Sequence, residues 1–99
     1  MEKFEEFKNL CDMSKKYYEL WKKSYTYIKL FIENLSFDEI CEFIIMIMKT
    51  NNFTDFSNKE EFISFLISNR QCYLLITYGN IPDYDNVYNY INRKKYIKM

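Results

Sequence analysis

Two kinds of side chain in this sequence could do chemistry: carboxylates in close pairs, and isolated cysteines. The acidic pairs are Glu5-Glu6, Glu60-Glu61 and Asp83-Tyr84-Asp85. A glycosidase-type reaction needs two carboxyl groups facing each other across a cleft. Each of these pairs reads better as charge on a helix flank or first turn, where the helix dipole favours it. Asp83 and Asp85 are spaced like the opening of a calcium loop, but Val87 stands at the next ligand position and the required Gly and closing Glu are missing. Cys11, Cys41 and Cys72 are far apart with no CxxC, and the chain has no histidine. Without histidine, the triad, zincin and Cys-His arrangements are excluded. A single glycine in the chain excludes a phosphate-cradling loop. The sequence therefore predicts no enzyme, no cofactor and no metal, with three reduced, half-buried thiols in a cytoplasmic protein.

Composition narrows the class further. The chain has 99 residues, 48% of them hydrophobic and 20% aromatic. That length predicts one domain covering 1–99, and the apolar content argues against disorder. Lys outnumbers Arg twelve to two, Ala is absent, and Lys, Ile, Asn, Tyr and Phe together make up more than half the chain. These are residues with AT-rich codons, which points to an AT-rich genome. Net charge is zero but uneven: residues 33–61 carry seven acids against two lysines, and residues 62–99 carry five bases against two acids. Zero net charge argues against a dedicated duplex-DNA binder. The acidic opening, Met1 to Glu6, does not read as an export signal.

The elements that would position these groups read as helices. Phe4, Phe7, Cys11, Ser14, Tyr18, Trp21, Tyr25, Ile28, Ile32 and Leu35 recur at alternating spacings of three and four, the pattern of one helix face. Lys8, Lys15, Lys22 and Lys29 fall at one flanking heptad position, with acids three residues before the first three of them. The opposite flank, Leu10, Tyr17, Ser24 and Phe31, is uncharged, which argues for a bundle helix and against a parallel zipper. A helix over about 3–35 would be roughly 50 Å long, against a radius of gyration of about 13 Å for a compact chain of this size. It must either bend near Asp12-Met13-Ser14 or project at its N-terminal end.

Ser36 to Glu39 is a capping box that opens a second helix, running to about Lys49 and apolar on nearly every side. Phe53 and Phe56 anchor the connector, and Ser57 to Glu60 reads as a second capping box. Gln71 to Tyr78 suits either a strand or a helix. With no second strand to pair it, helix is favoured, broken near Asn69 and ended by Gly79 at the C′ position. Asp83 is the expected cap of a last helix ending in basic residues. The expectation is an all-α bundle of four to five helices built on a long N-terminal helix.

Function follows by elimination. Nineteen Phe and Tyr with twelve Ile exceed what so short a chain can bury, so an aromatic patch should remain exposed and mark a partner site. The expected function is a non-enzymatic interaction module, an inhibitor or adaptor encoded by a virus, phage or mobile element, for example in counter-defence. Its expected partner is a host or cognate protein, or a second copy, and no membrane. The candidate contacts are Phe4, Phe7, Leu10, Trp21, Glu39, Glu42, Tyr88 and Tyr96. The alternative is a nucleic-acid-binding regulator using Lys8, Lys15, Lys22 and Lys29, or the tail residues Arg93, Lys94, Lys95 and Lys98.

Overall fold

The heptad stretch does not form one rod. In the computed structural model, α1 (Glu2–Lys16) and α2 (Trp21–Glu33) are separate helices packed on one another. The structure describes the backbone of residues 2–16, 21–53, 55–81 and 83–97, with side chains described to 12 in α1, from 26 in α2, and to 94 in the last helix. The expected single long N-terminal helix is thus corrected to two helices, and Asp12 to Ser14, where a bend was an option, are helical inside α1. The physical reason is coverage. A single rod would leave one end of the seam in water, whereas two shorter helices cover it: Phe4, Phe7, Cys11, Ile28 and Ile32 are all buried. Phe7 stacks on Phe31 with ring centroids 6.3 Å apart, and Phe4 meets Phe43 edge-on at 5.4 Å.

α3 (Phe37–Thr50) starts where its capping box directs it. The Glu39 amide donates to the Ser36 hydroxyl at 3.1 Å, and the Ser36 amide donates to the Glu39 carboxylate at 3.0 Å. Such a cap is worth about 1 kcal/mol. As its all-round apolar sequence predicts, α3 is the central helix: Ile40, Cys41, Phe43, Ile44, Ile47 and Met48 are buried. It ends in a Schellman turn. The Phe53 amide donates to the Met48 carbonyl at 2.8 Å, and Asn52 takes the left-handed conformation at φ 56°.

The connector docks as expected, with Phe53 stacked on Phe65 at 4.4 Å and Phe56 on Phe62 at 5.0 Å. α4 (Lys59–Ser68) begins one residue later than the expected box implies. Asn58 is its cap, accepting from the Glu61 amide at 2.8 Å, while the Ser57 hydroxyl donates to the Glu61 carboxylate at 2.7 Å. Ser57 and Asn58 both suit a cap, and the amide oxygen of Asn58 is the one aimed at the free donor.

α5 (Arg70–Tyr78) settles the ambiguous Cys-Tyr-Leu-Leu-Ile run as helix. Asn69, at φ −88° and ψ 119°, ends α4 and caps α5, accepting from the Cys72 amide at 3.1 Å. Gly79 is not left-handed; its φ of −78° is ordinary, and Asn80 at φ 53° makes the left-handed turn. The glycine is needed for close approach, because a Cβ there would meet the Leu75 carbonyl oxygen and lie 2.6 Å from Ile40 Cδ1. α6 (Tyr84–Ile97) is capped by Asp83, which accepts from the Asp85 amide at 2.7 Å. Its Val87 and Ile91 are buried, and Lys59 pairs with Asp85 to tie α4 to α6.

All six elements among the described residues are helices. The radius of gyration is 13.6 Å, as expected of a compact chain of this length. No described helix is long and apolar enough to cross a membrane.

Candidate functional site

The capping box at the start of α3 fixes the first wall of a site. It holds Phe37 and Asp38 in the opening turn. Phe37 continues the stripe of Cys41, Ile44 and Met48, but it lies a turn beyond their cover and stays 39% exposed. Tyr90 of α6 meets its ring edge-on at 6.1 Å and 88°. The second wall is the solvent stripe of α6, where Asn86, Asn89 and Arg93 stand at i, i+3 and i+7 and are all exposed.

Between these walls lie two open recesses. One, of about 490 Å³, is lined by Phe37, Asn86, Asn89 and Arg93. The other, of about 330 Å³, is lined by Asp38, Tyr90, Arg93 and Lys94. Arg93 borders both.

Glu42 locks the seam beneath them. Its Oε1 accepts from the Tyr90 hydroxyl at 2.9 Å and takes the Lys94 ammonium at 3.3 Å. Lys94 also lies 5.6 Å from the Tyr90 ring centroid. Burial, then the bond to Glu42, pushes the Tyr90 phenol up to about 12. Asp38 and Arg93, on opposite walls of the smaller recess, form no ion pair among the described residues.

The groups on this face can hydrogen-bond, stack and pair charge. Tyr90 stays protonated at neutral pH, so it offers a hydrogen bond and not a base. The cysteines are no better as nucleophiles: all three are buried, more deeply than the half-burial expected. Burial pushes the Cys41 and Cys72 thiols to about 12, with Asp38 and Glu42 adding to the shift at Cys41. Among the described residues, no group of three His, Cys, Asp or Glu could hold a metal ion.

The candidate contacts separate accordingly. Phe4 and Phe7 are corrected: at 4% and 0% exposure they are core, because α2 and α3 cover the end of α1, which would have freed these rings only by projecting. Leu10 is half-buried against the same core. Glu39 completes the cap and pairs with Lys3 at 2.7 Å, which holds its carboxyl below the usual range. Tyr88 packs inward on Phe56 and Phe62, at 5.8 and 5.6 Å.

Glu42, Arg93 and Lys94 are the candidates brought together on the α3–α6 face. The expected lysine row is divided, since Lys8 is on α1, 5.8 Å from the Phe4 ring, and Lys29 is on α2, 3.9 Å from Glu33. The side chains of Trp21, Tyr96, Lys15, Lys22, Lys95 and Lys98 lie outside the described residues.

Sequence reasoning missed Phe37, Asp38, Asn86 and Asn89, and offered Tyr90 only as an aromatic of the basic tail. In the sequence, Phe37 and Asp38 read only as part of a cap. The Asn86-Asn89-Arg93 spacing is visible in the sequence, but solvent-facing stripes of that kind are common. Other large apolar side chains are exposed as well, Tyr27 and Leu30 on α2, Ile67 on α4 and Tyr73 on α5. None of these four lines the two recesses at the α3–α6 face.

A third recess, of about 290 Å³, is lined by Lys8, Cys11, Asp12, Thr50, Asn51, Asn69, Arg70 and Gln71. Thr50, Asn51 and Asn69 there are engaged in helix ends, and Arg70 donates to the Cys11 carbonyl at 3.4 Å. Comparison with known proteins found no matching family model, no matching curated protein and no matching solved structure.

Proposed function

We propose that this chain is a non-enzymatic protein-interaction module that docks through the α3–α6 face. The observation that carries the proposal is Phe37, a large ring left in water by the capping turn that positions it, beside a groove ending at Arg93. An exposed ring beside a groove and an arginine is the residue chemistry enriched at docking sites. The abundance of residues with AT-rich codons supports reading it as an inhibitor or adaptor encoded by a virus, phage or mobile element and acting in the cytoplasm of a host cell. Counter-defence is the activity class proposed.

The nucleic-acid alternative has less support. Lys29 is paired with Glu33 and Lys94 with Glu42, and the lysine row is split between two helices.

The test uses three baits in extract from the source cell: wild type, the double variant Phe37→Ser/Arg93→Ala, and Tyr27→Ser as an exposed aromatic control. A partner held by wild type and by Tyr27→Ser, but lost by the double variant, supports docking here. Retention by all three baits removes the proposal. Loss of the partner on a modest rise in salt for every bait would instead favour nucleic acid.

A further inference from the structure

We infer that the occupant of the α3–α6 face is a second copy of this chain, paired about a two-fold axis so that Arg93 of each copy meets Asp38 of the other. The inference rests on the reading of this face as a protein-docking surface and identifies what docks.

Charge selects the partner. Asp38 and Arg93 border the same recess, yet neither has an ion-pair partner among the described residues, while Glu42 and Lys94 beside them are joined at 3.3 Å. A strongly acidic partner would satisfy Arg93 but be repelled by Asp38, and a strongly basic one would meet the reverse problem. A surface with one unpaired acid and one unpaired base is complementary to itself, because a two-fold operation sets each opposite the other.

The remaining groups are reciprocal in the same way. Asn86 and Asn89 carry carboxamides, each both donor and acceptor, so either can pair with its own copy. Phe37 lies on the wall of the larger groove. The two-fold gives its exposed edge a groove on the other copy, and its own groove a ring. The chain's net charge is zero, so the two copies approach without long-range repulsion.

Size sets the strength. Helices of 14 residues are about 21 Å long, and packed helices lie about 10 Å apart. The face therefore offers a few hundred Å² per copy, less than the roughly 800 Å² per partner of a standard interface. The dimer is accordingly weak and forms in the micromolar range or above.

Sedimentation velocity across micromolar to millimolar concentrations tests this on the full chain. Wild type should shift from monomer to dimer as concentration rises. Asp38→Arg and Arg93→Glu should each weaken association at least about tenfold, since each sets like charges together twice across the axis. An equimolar mixture of the two variants should associate as wild type does, because every reversed charge then faces its opposite. Both positions are exposed, and melting curves establish that each variant is folded.

A wild type that stays monomeric throughout overturns the inference. So does association indifferent to either reversal, or a mixture no stronger than its components. If wild type is monomeric while Phe37→Ser/Arg93→Ala still loses a captured partner, the docking reading stands and its occupant is a different protein. If that variant loses nothing either, both fall.

Discussion

The Tyr90 hydroxyl donates to the Glu42 carboxylate at 2.9 Å, joining α6 to the central helix at the base of the candidate face. Lys94 reaches the same oxygen at 3.3 Å, so one carboxylate holds two α6 side chains a turn apart on its side of the seam. Removing the phenol hydroxyl with Tyr90→Phe should cost about 1 kcal/mol. Glu42→Ala removes the acceptor for Tyr90 together with a partly exposed ion pair, and should cost about 1–2 kcal/mol. Because the two residues share one bond, the double variant should cost less than the sum of the singles. Urea denaturation of all four proteins at neutral pH measures this cycle. Strictly additive costs would mean that Tyr90 and Glu42 act independently.

Phe7 tests the folded-back arrangement of α1 and α2. Its ring is fully buried, stacked on Phe31 at 6.3 Å and tilted against Phe43 at 5.8 Å. Phe7→Ala should therefore destabilise by about 3–5 kcal/mol. Tyr27→Ala, at an aromatic 59% exposed on α2, should stay within about 0.5 kcal/mol of wild type. Guanidinium unfolding midpoints compare them. Equal stability of the two variants would refute the burial of α1's seam.

The helical class was legible because its signals are local. The Ser36 box, the Asp83 cap and the break at Asn69 each depend on a few neighbouring residues, and each is where the pattern placed it. The pairing of helices was not legible. An amphipathic face reports that something covers it, not what, so Phe4 and Phe7 read equally as seam or as docking surface until α2 and α3 were seen to cover them. The same limit explains the lysine row, which is continuous in sequence and divided in space. The α3–α6 face needs residues from 37 and from 86–94 brought together, and no local pattern encodes that meeting.

Gly79 has an ordinary backbone conformation, so intrinsic preference alone would make Ala favourable there. Packing reverses the sign. The added Cβ would meet the Leu75 carbonyl oxygen and lie 2.6 Å from Ile40 Cδ1, a crowding of the α5 end against the central helix. Gly79→Ala should destabilise by about 1–3 kcal/mol. Pairing it with Ile40→Val, which withdraws the Cδ1 methyl, should recover part of that loss. Thermal melts of the single and double variants decide the matter, and a Gly79→Ala protein that melts above wild type would show that the junction is loose.

Cys72 should give the fold a measurable alkaline limit. Burial raises its thiol from an ordinary 9.0 to about 12. Below 9.0 the thiol is protonated in both states and its contribution to stability is complete. Between 9.0 and about 12 the unfolded chain releases the proton while the folded chain keeps it, so stability falls as pH rises. The limiting slope is about 1.4 kcal/mol per pH unit for this one thiol. Cys41, also raised to about 12, adds in the same direction, as does Tyr90 above its ordinary 10.0. Cys72→Ala should cost about 1 kcal/mol at neutral pH through the space it leaves. It should also lose stability less steeply than wild type above pH 9, so that the two curves converge. Urea midpoints taken at neutral pH and at steps through the alkaline range measure both effects, and parallel curves would show that the Cys72 thiol does not set the limit.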